Sequence, residues 1–215
     1  MEAQLHRSKG PLGSRIILVR ATPIEYLSAH STKENEIYTY DCAVFAISLW
    51  YFSTPTGIQQ TLSVIARHAR TICVAEWSLA PSKAYHLRSY PHVLAALAQA
   101  VLATRAPTGT STANIRTASS PTSLKDMKEV TGLKCVKELY ITPGENNLDS
   151  MWEVMEVPSS QWEDEVRHIL ERPNHDMDKE LLFTMGYAVR SALPEPLSKA
   201  KGVQSIDFWC ATFES

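Results

Sequence analysis

Two apolar runs in the first half of the chain contain almost no polar interruption. Residues 38–49 (YTYDCAVFAISL) include nine apolar or aromatic side chains among twelve. Residues 71–76 (TICVAE) are also mostly apolar. This pattern is typical of strands that helices cover on both faces, so we expect residues 38–49 to form the centre of a sheet. Between them, residues 56–70 place apolar side chains at helical spacing. The pattern therefore predicts a βαβ unit with parallel strands and an α/β fold.

Further elements are predicted on both sides of this unit. Residues 15–19 (RIILV) predict a strand and 24–29 a short helical turn. Helices are predicted at 91–105 with Pro91 in the first turn, at 123–131 ending before Gly132, and at 161–192 with an interruption near Pro173. Residues 133–142 and 205–214 predict strands. The Ser-, Thr- and Pro-rich residues 106–121 predict a loop or mobile lid, or a low-complexity linker.

Length and charge limit the classes of function. The 215 residues suit a single domain over 1–215, with helical inserts at about 78–120 and 147–200. A net charge of −2 gives no electrostatic basis for binding nucleic acid. Because no signal-like or membrane-spanning apolar stretch is present, we expect no membrane partner and a cytoplasmic location.

The four cysteines each lie inside an apolar run and form no Cys-x-x-Cys pair; they are Cys42, Cys73, Cys135 and Cys210. This distribution predicts buried thiols in a reducing compartment rather than disulfides or ligands of a metal. No other cluster has the spacing of a metal site.

The order of these elements resembles a class I S-adenosylmethionine (SAM)-dependent methyltransferase read from its third strand to its seventh. Residues 15–27 (RIILVRATPIEYL) look like the third strand and its turn, and residues 40–52 (YDCAVFAISLWYF) like the fourth strand and the aromatic motif after it. Residues 71–79 look like the fifth strand. The later helix and the strands at 133–142 and 205–214 look like the last helix, the sixth strand and the antiparallel seventh. Within this family, the sequence resembles the fungal small-molecule methyltransferases of secondary metabolism.

The resemblance implies a Rossmann-like sheet, mostly parallel with an antiparallel last strand, but lacking the family's first two strands. Gly10 and Gly13 precede a strand instead of joining a strand to a helix, so they do not form the glycine loop that contacts SAM. We therefore expect an N-terminally truncated relative. Three arrangements are open: residues 15–19 pair directly with 38–48, or they form only a marginally stable strand, or another chain pairs with the exposed sheet edge.

The resemblance also implies site residues at the carboxyl ends of the strands, where open α/β sheets bind ligands. Those implied for the cofactor SAM are Ala21, Thr22, Ser48, Leu49, Trp50 and Tyr51. Those implied for substrate are Phe52, Trp77, Tyr85 and Tyr90. The alternative for the aromatic residues is that they cap the core under a loop.

Three residues are candidates for acid–base chemistry. His86 and His92 lie where the family places substrate-covering inserts, and histidine suits proton transfer at neutral pH, although most loop histidines do no chemistry. Glu76 ends a buried strand, so its carboxylate either faces the crevice or is paired.

The function expected is that of a SAM-dependent methyltransferase-like protein acting on a small metabolite. Two alternatives remain open: a non-catalytic subunit with the methyltransferase fold, and a diverged enzyme that needs no cofactor. The exposed sheet edge predicts a homodimer or heterodimer.

Overall fold

The computed structural model describes residues 15–30, 40–107, 113–145, 147–171, 176–193 and 202–214. Gly10, Gly13 and Pro173 lie outside these ranges. Along the chain the elements are α1 Pro23–His30, β1 Tyr40–Ala46, a 3-10 turn Leu49–Tyr51, α2 Pro55–Ile65, β2 Ala69–Trp77, α3 His86–Arg105, α4 Pro121–Asp126, α5 Lys128–Thr131, β3 Lys134–Ile141, α6 Asp149–Glu156, α7 Ser160–Ile169, α8 Asp176–Ser191 and β4 Phe208–Glu214.

The four strands form one mixed sheet in the order β1-β2-β4-β3. β1 and β2 are parallel neighbours, with Val44 opposite Cys73, and β4 runs antiparallel to both β2 and β3. The predicted α/β fold, the parallel βαβ unit and the antiparallel last strand are all confirmed.

Local signals in the sequence explain where several helices begin and end. The Thr54 side chain accepts a hydrogen bond from the Gly57 N–H and caps α2, whose first residue is Pro55. The predicted end of the helix before Gly132 is confirmed, since Gly132 follows α5 at φ 72°. A left-handed residue at this position satisfies the last carbonyls of a helix, and glycine adopts that conformation without strain.

In the described part of the chain, helices cover one face of the sheet along β1 and β2, whereas the opposite face is covered at the end of β2, where Val93 of α3 packs in one cluster with Trp77 and Phe208. α1, α2 and α4 supply Leu27, Leu62 and Leu124 to a core that contacts Phe45 and Val74. The opposite face, which we call the open face, carries the exposed Cys42, Val44 and Ala46 and the half-buried Cys73, Ala75 and Cys210.

The prediction that β1 is a central strand covered on both faces is wrong. Among the described residues β1 pairs with β2 alone, and Val44 is 68% exposed. The apolar run is present, but α2, the helix that crosses between β1 and β2, lies on the other face.

The prediction of buried thiols is also wrong. All four cysteines lie in the described residues and are free; Cys42 is exposed and the other three are half-buried. The open face explains this exposure, because Cys42, Cys73 and Cys210 all lie on it. The sulfur atoms of Cys42 and Cys73 are 3.6 Å apart.

The strand predicted at residues 15–19 does not form. These residues have no regular secondary structure, and their apolar side chains are exposed, Ile17 by 76%. Direct pairing with β1 is therefore excluded. A strand needs a neighbour to satisfy its backbone groups, and none of the described residues provides one here. The helical turn expected next is confirmed by α1.

A second core lies among α3, α6, α7 and α8, with Ala98, Val154 and Leu182 at its centre. The sequence predicted α3 to begin at Pro91, but the helix begins five residues earlier and Pro91 lies inside it. The Ser89 N–H donates to the Tyr85 carbonyl, so the chain is already helical before the proline. No helix in the described part of the chain is long and apolar enough to span a bilayer.

Candidate functional site

Two strained residues lie just beyond the carboxyl ends of adjacent parallel strands. Ile47, after β1, has φ 48°, and Leu79, after β2, has φ 53°; among the described residues no others besides glycine have positive φ. The left-handed conformation costs about 1–3 kcal/mol for such residues and tends to mark functional sites. The Ile47 N–H donates to the Ala75 carbonyl at 2.7 Å, which helps to hold it in place. We call residues 47–52 and 76–79 the strand-end site.

Glu76 connects the two halves of the strand-end site. Its carboxylate is fully buried and accepts hydrogen bonds from the N–H groups of Leu49 at 2.9 Å, Trp50 at 3.4 Å and Trp77 at 3.0 Å. Burial raises the pKa of Glu76, and the backbone hydrogen bonds oppose that shift. Of the two arrangements expected for Glu76, the structure has the paired one, and its acid–base role stays a prediction.

A strap formed by residues 113–120 lies against the 3-10 turn. The N–H groups of Arg116 and Thr117 donate to the Trp50 carbonyl, and the Thr117 hydroxyl donates to the Phe52 carbonyl at 2.6 Å. The Trp50 indole N–H donates to the Ser119 carbonyl at 3.1 Å. Of the alternatives expected here, residues 113–120 form a loop, and hydrogen bonds and buried side chains hold it against the turn; residues 108–112 lie outside the described ranges.

The four cofactor residues predicted after β1 differ in exposure. Leu49 and Trp50 are buried, at 1% and 3% exposed, so their side chains serve the core. Ser48 is half-buried and Tyr51 is 52% exposed. A hydroxyl and an aromatic ring are therefore the side-chain groups that this turn can offer to a ligand.

The other two predicted cofactor residues, Ala21 and Thr22, are exposed at the start of α1. Thr22 and Glu25 cap this helix reciprocally: the Thr22 N–H and hydroxyl donate to the Glu25 carboxylate, and the Glu25 N–H donates to the Thr22 hydroxyl. These bonds lower the pKa of Glu25. The Thr-x-x-Glu spacing could have revealed this carboxylate, which our sequence analysis missed.

His92 of α3 contacts Trp77 of the strand-end site. His92 is buried; its Nδ1 accepts a hydrogen bond from the Ile206 N–H, and its Nε2 has no partner among the described residues. Burial lowers the pKa of His92 to about 3, so the ring is neutral at pH 7. The Trp77 ring packs edge-on against the His92 ring, with 5.1 Å between the ring centres, and stacks on the Phe208 ring, with 4.0 Å between the centres.

The remaining candidates lie at the start of α3. His86 is the first residue of the helix, and its side chain is not among those that the structure describes. The Arg88 guanidinium lies 5.7 Å from the centre of the half-buried Tyr85 ring, and Tyr90 is 45% exposed. The structure thus joins Glu76, Leu49, Trp50, Trp77 and His92 through direct contacts. No hydrogen bond or ion pair between described residues joins Tyr90 or Thr22 to them.

A separate cavity of about 250 Å³ lies between α7 and α8. It is lined by Val157, Trp162, Arg167, Phe183, Tyr187 and Arg190, among others. Arg167 lies 5.3 Å from the centre of the Phe183 ring and is also paired with Glu163 and Asp164. Its charge is thus already engaged by acidic neighbours.

Comparison with solved structures identifies the fold. No protein-family model matches the sequence, and no curated protein matches it significantly. The chain superposes on a cyclopropane-fatty-acyl-phospholipid synthase-like protein from Lactobacillus casei with a TM-score of 0.68 and 22% identity. The chain has the fold of that protein. The match covers 96% of this chain and 65% of the Lactobacillus casei chain, so this chain spans about two thirds of its length.

Two further matches are looser. A SAM dependent methyltransferase from Archaeoglobus fulgidus gives a TM-score of 0.41 at 11% identity, covering 92% of this chain and 66% of that one. A sarcosine dimethylglycine methyltransferase homologue from Galdieria sulphuraria gives 0.34 at 10% identity, covering 84% and 55%. Neither superposition is close enough to support an argument.

Proposed function

We propose that this chain is a SAM-dependent methyltransferase-like protein that acts on a small metabolite and binds SAM at the strand-end site. The observation that carries the proposal is the pair of strained residues Ile47 and Leu79, which follow neighbouring parallel strands at one edge of the sheet. Open α/β sheets bind ligands at this edge, and backbone strain persists there when the surrounding structure supports it.

The side chains at the strand-end site fit one part of SAM well. The exposed Tyr51 ring offers a flat surface for the adenine, and the Ser48 hydroxyl can exchange a hydrogen bond with it. The N–H groups of Leu49 and Trp50 are already donated to Glu76, so they do not serve the ligand. The fit therefore supports adenine binding by Ser48 and Tyr51, with Phe52 beside them.

SAM itself would supply the reactive methyl group, and the chain would contribute mainly position. The Glu76 carboxylate holds the 3-10 turn by accepting the Leu49 N–H, and the strap holds Trp50 and Phe52 by hydrogen bonds to their backbone carbonyls. His92 is neutral at pH 7 but buried, so proton transfer by His92 would require α3 or the residues before β4 to move. We place substrate contacts at Tyr85 and Tyr90, in line with the resemblance to fungal small-molecule enzymes, whereas the predicted substrate residue Trp77 is 5% exposed and packs in the core.

The proposal is tested by calorimetric titration of the purified protein with SAM and with its demethylated product. We expect saturable binding, and we expect Tyr51→Ala to weaken it by about five- to tenfold, the value of one stacking contact. Tyr187→Ala is the matched control, because Tyr187 is an exposed tyrosine on α8 that lines the cavity between α7 and α8. Absence of binding at millimolar ligand would refute the SAM-dependent function. A larger effect of Tyr187→Ala than of Tyr51→Ala would move the site to α7 and α8.

A further inference from the structure

The two ends of the strap are held by different parts of the molecule. At its carboxyl end, Ser120 caps α4 by accepting a hydrogen bond from the Ser123 N–H, and Leu124 of α4 packs in the core against the sheet. Near its amino end, Asn114 is exposed, but its side chain forms a hydrogen bond with the Glu153 carboxylate of α6. The amino end of the strap is therefore held by a helix of the second core.

Glu153 forms hydrogen bonds with two other elements at once. The amide nitrogen of Gln99, on α3, donates to the Glu153 carboxylate at 2.5 Å, and Gln99 is 1% exposed. Asn114 contacts the same carboxylate from the strap. Burial raises the pKa of Glu153, and the hydrogen bonds from Gln99 and Asn114 oppose that shift. A half-buried carboxylate thus joins α6, α3 and the strap.

The strap is bonded to the strand-end site directly after this contact. The N–H groups of Arg116 and Thr117 donate to the Trp50 carbonyl at 2.8 and 3.1 Å. Ile115, which follows Asn114, is 4% exposed and packs in one cluster with Trp50. Because Ile115 alone separates the α6 contact from these hydrogen bonds, a displacement of the amino end of the strap must also move its contacts with the 3-10 turn.

A simpler role for Glu153 would be to pack α6 against α3. That role requires only the bond from Gln99, and it leaves the bond from Asn114 without a consequence. Glu156, on the same helix, provides a comparison within the chain. Burial raises the pKa of Glu156 as well, but Glu156 forms no hydrogen bond or ion pair with residues 113–120. The two glutamates therefore differ in their contact with the strap.

We propose that Glu153 is a positioning residue for the strand-end site. Its carboxylate fixes the amino end of the strap, and the strap in turn fixes the 3-10 turn beside Ser48 and Tyr51. The effect of Glu153 on ligand affinity rests on the proposed binding of SAM, whereas its effect on the strap does not.

Hydrogen exchange of the purified protein tests the restraint without a ligand. We expect the Arg116 and Thr117 amides to exchange about tenfold faster in Asn114→Ala and in Glu153→Ala, because either change removes a hydrogen bond to a charged group. The double variant should exchange no faster than Glu153→Ala, since both changes remove the same contact. Exchange in the central strand β2 should stay unchanged, which distinguishes local release of the strap from global unfolding.

Glu156→Ala is the matched control and should exchange as the wild type does. Unchanged exchange at the strap in both Asn114→Ala and Glu153→Ala overturns the proposal. Equal acceleration by Glu156→Ala, or additive effects of the two changes in the double variant, overturns it too.

Calorimetric titration with the demethylated product of SAM then tests the effect on the site. We expect Asn114→Ala and Glu153→Ala to weaken binding by about three- to tenfold, and Glu156→Ala to bind as the wild type does. Unchanged affinity in variants whose strap exchanges faster overturns the positioning role.

Absence of binding by the wild type at millimolar product refutes the proposed function instead. Exchange at the Phe52 amide, which donates to the Leu49 carbonyl across the turn at 3.2 Å, then decides the role of Glu153. Faster exchange at Phe52 in Asn114→Ala and Glu153→Ala supports that role, and unchanged exchange overturns it.

Discussion

The Glu76 carboxylate accepts a hydrogen bond from the Leu49 N–H at 2.9 Å and so joins the carboxyl ends of two parallel strands. The carboxylate also accepts hydrogen bonds from the N–H groups of Trp50 and Trp77. This one side chain determines how the residues after β1 are presented at the sheet edge.

Replacing this carboxylate should destabilise the protein. Glu76→Gln places an amide NH2 group where backbone donors point, which we expect to cost about 1–2 kcal/mol in the free energy of unfolding at neutral pH. The exposed Glu129→Gln on α5 is the control and should have little effect. Urea denaturation measures both changes, and equal stability of the two variants would contradict the role given to Glu76.

The wild type and the Glu76→Gln variant should also differ in how their free energy of unfolding depends on pH. The raised pKa of Glu76 means that the folded state binds a proton more tightly than the unfolded state does. The contribution of Glu76 to stability therefore falls as the pH rises above the ordinary glutamate value of 4.5. We expect the stability advantage of the wild type over Glu76→Gln to be larger near pH 4.5 than at pH 7. An advantage that grows with pH would contradict this.

His92 should dominate the loss of stability in mild acid. Its folded pKa of about 3 lies below the ordinary value of 6.5, so the folded state resists protonation and stability falls as the pH drops below 6.5. The slope approaches about 1.4 kcal/mol per pH unit. His92→Gln should reduce this slope between pH 6.5 and 4, whereas His168→Gln, at an exposed position, should not. Parallel unfolding curves for the two variants across this range would show that the buried ring is not the cause.

Gly132 is required for its backbone conformation and not for space. A Cβ atom added at this position would have no other atom within 4 Å, yet φ is +72°. Gly132→Ala should therefore cost about 1–2 kcal/mol through the left-handed conformation alone. Gly144→Ala is the control, since Gly144 also has free space but no positive φ. Thermal unfolding distinguishes them, and an unchanged midpoint for Gly132→Ala would be the contrary result.

The hydroxyl of Thr117 should fix the strap. Thr117→Val keeps the shape of the side chain but removes the bond to the Phe52 carbonyl, at a cost of about 1–3 kcal/mol. Hydrogen exchange at the amides of Arg116 and Thr117 should then accelerate. Thr104→Val removes a similar bond to the Val101 carbonyl within α3 and should leave the strap unchanged. Unchanged exchange in Thr117→Val would show that the backbone bonds suffice.

Periodicity in the sequence was enough to predict the types and order of most elements. α2 and β2 are specified by their own apolar spacing, and the helix end before Gly132 by a local rule. The environment of β1 could not be predicted in this way, because its apolar residues are suited to burial on both faces while the described helices cover only one.

The candidate site was predicted only in part, for similar reasons. The aromatic residues after β1 could be located, but their burial depends on the strap, whose Ser- and Thr-rich sequence gives no sign of packing. The left-handed conformation of Ile47 runs against the preference of a β-branched residue, so tertiary structure imposes it.

The central claim is that ligand binds at the strand-end site, and methyl-resolved NMR of the labelled protein titrated with the demethylated product of SAM tests it most directly. We predict that the methyl signals of Ile47 and Leu79 shift with saturation, while those of Val157 beside the α7–α8 cavity remain in place. Shifts at Val157 without shifts at Ile47 and Leu79, or no saturable shift at all, would contradict the claim.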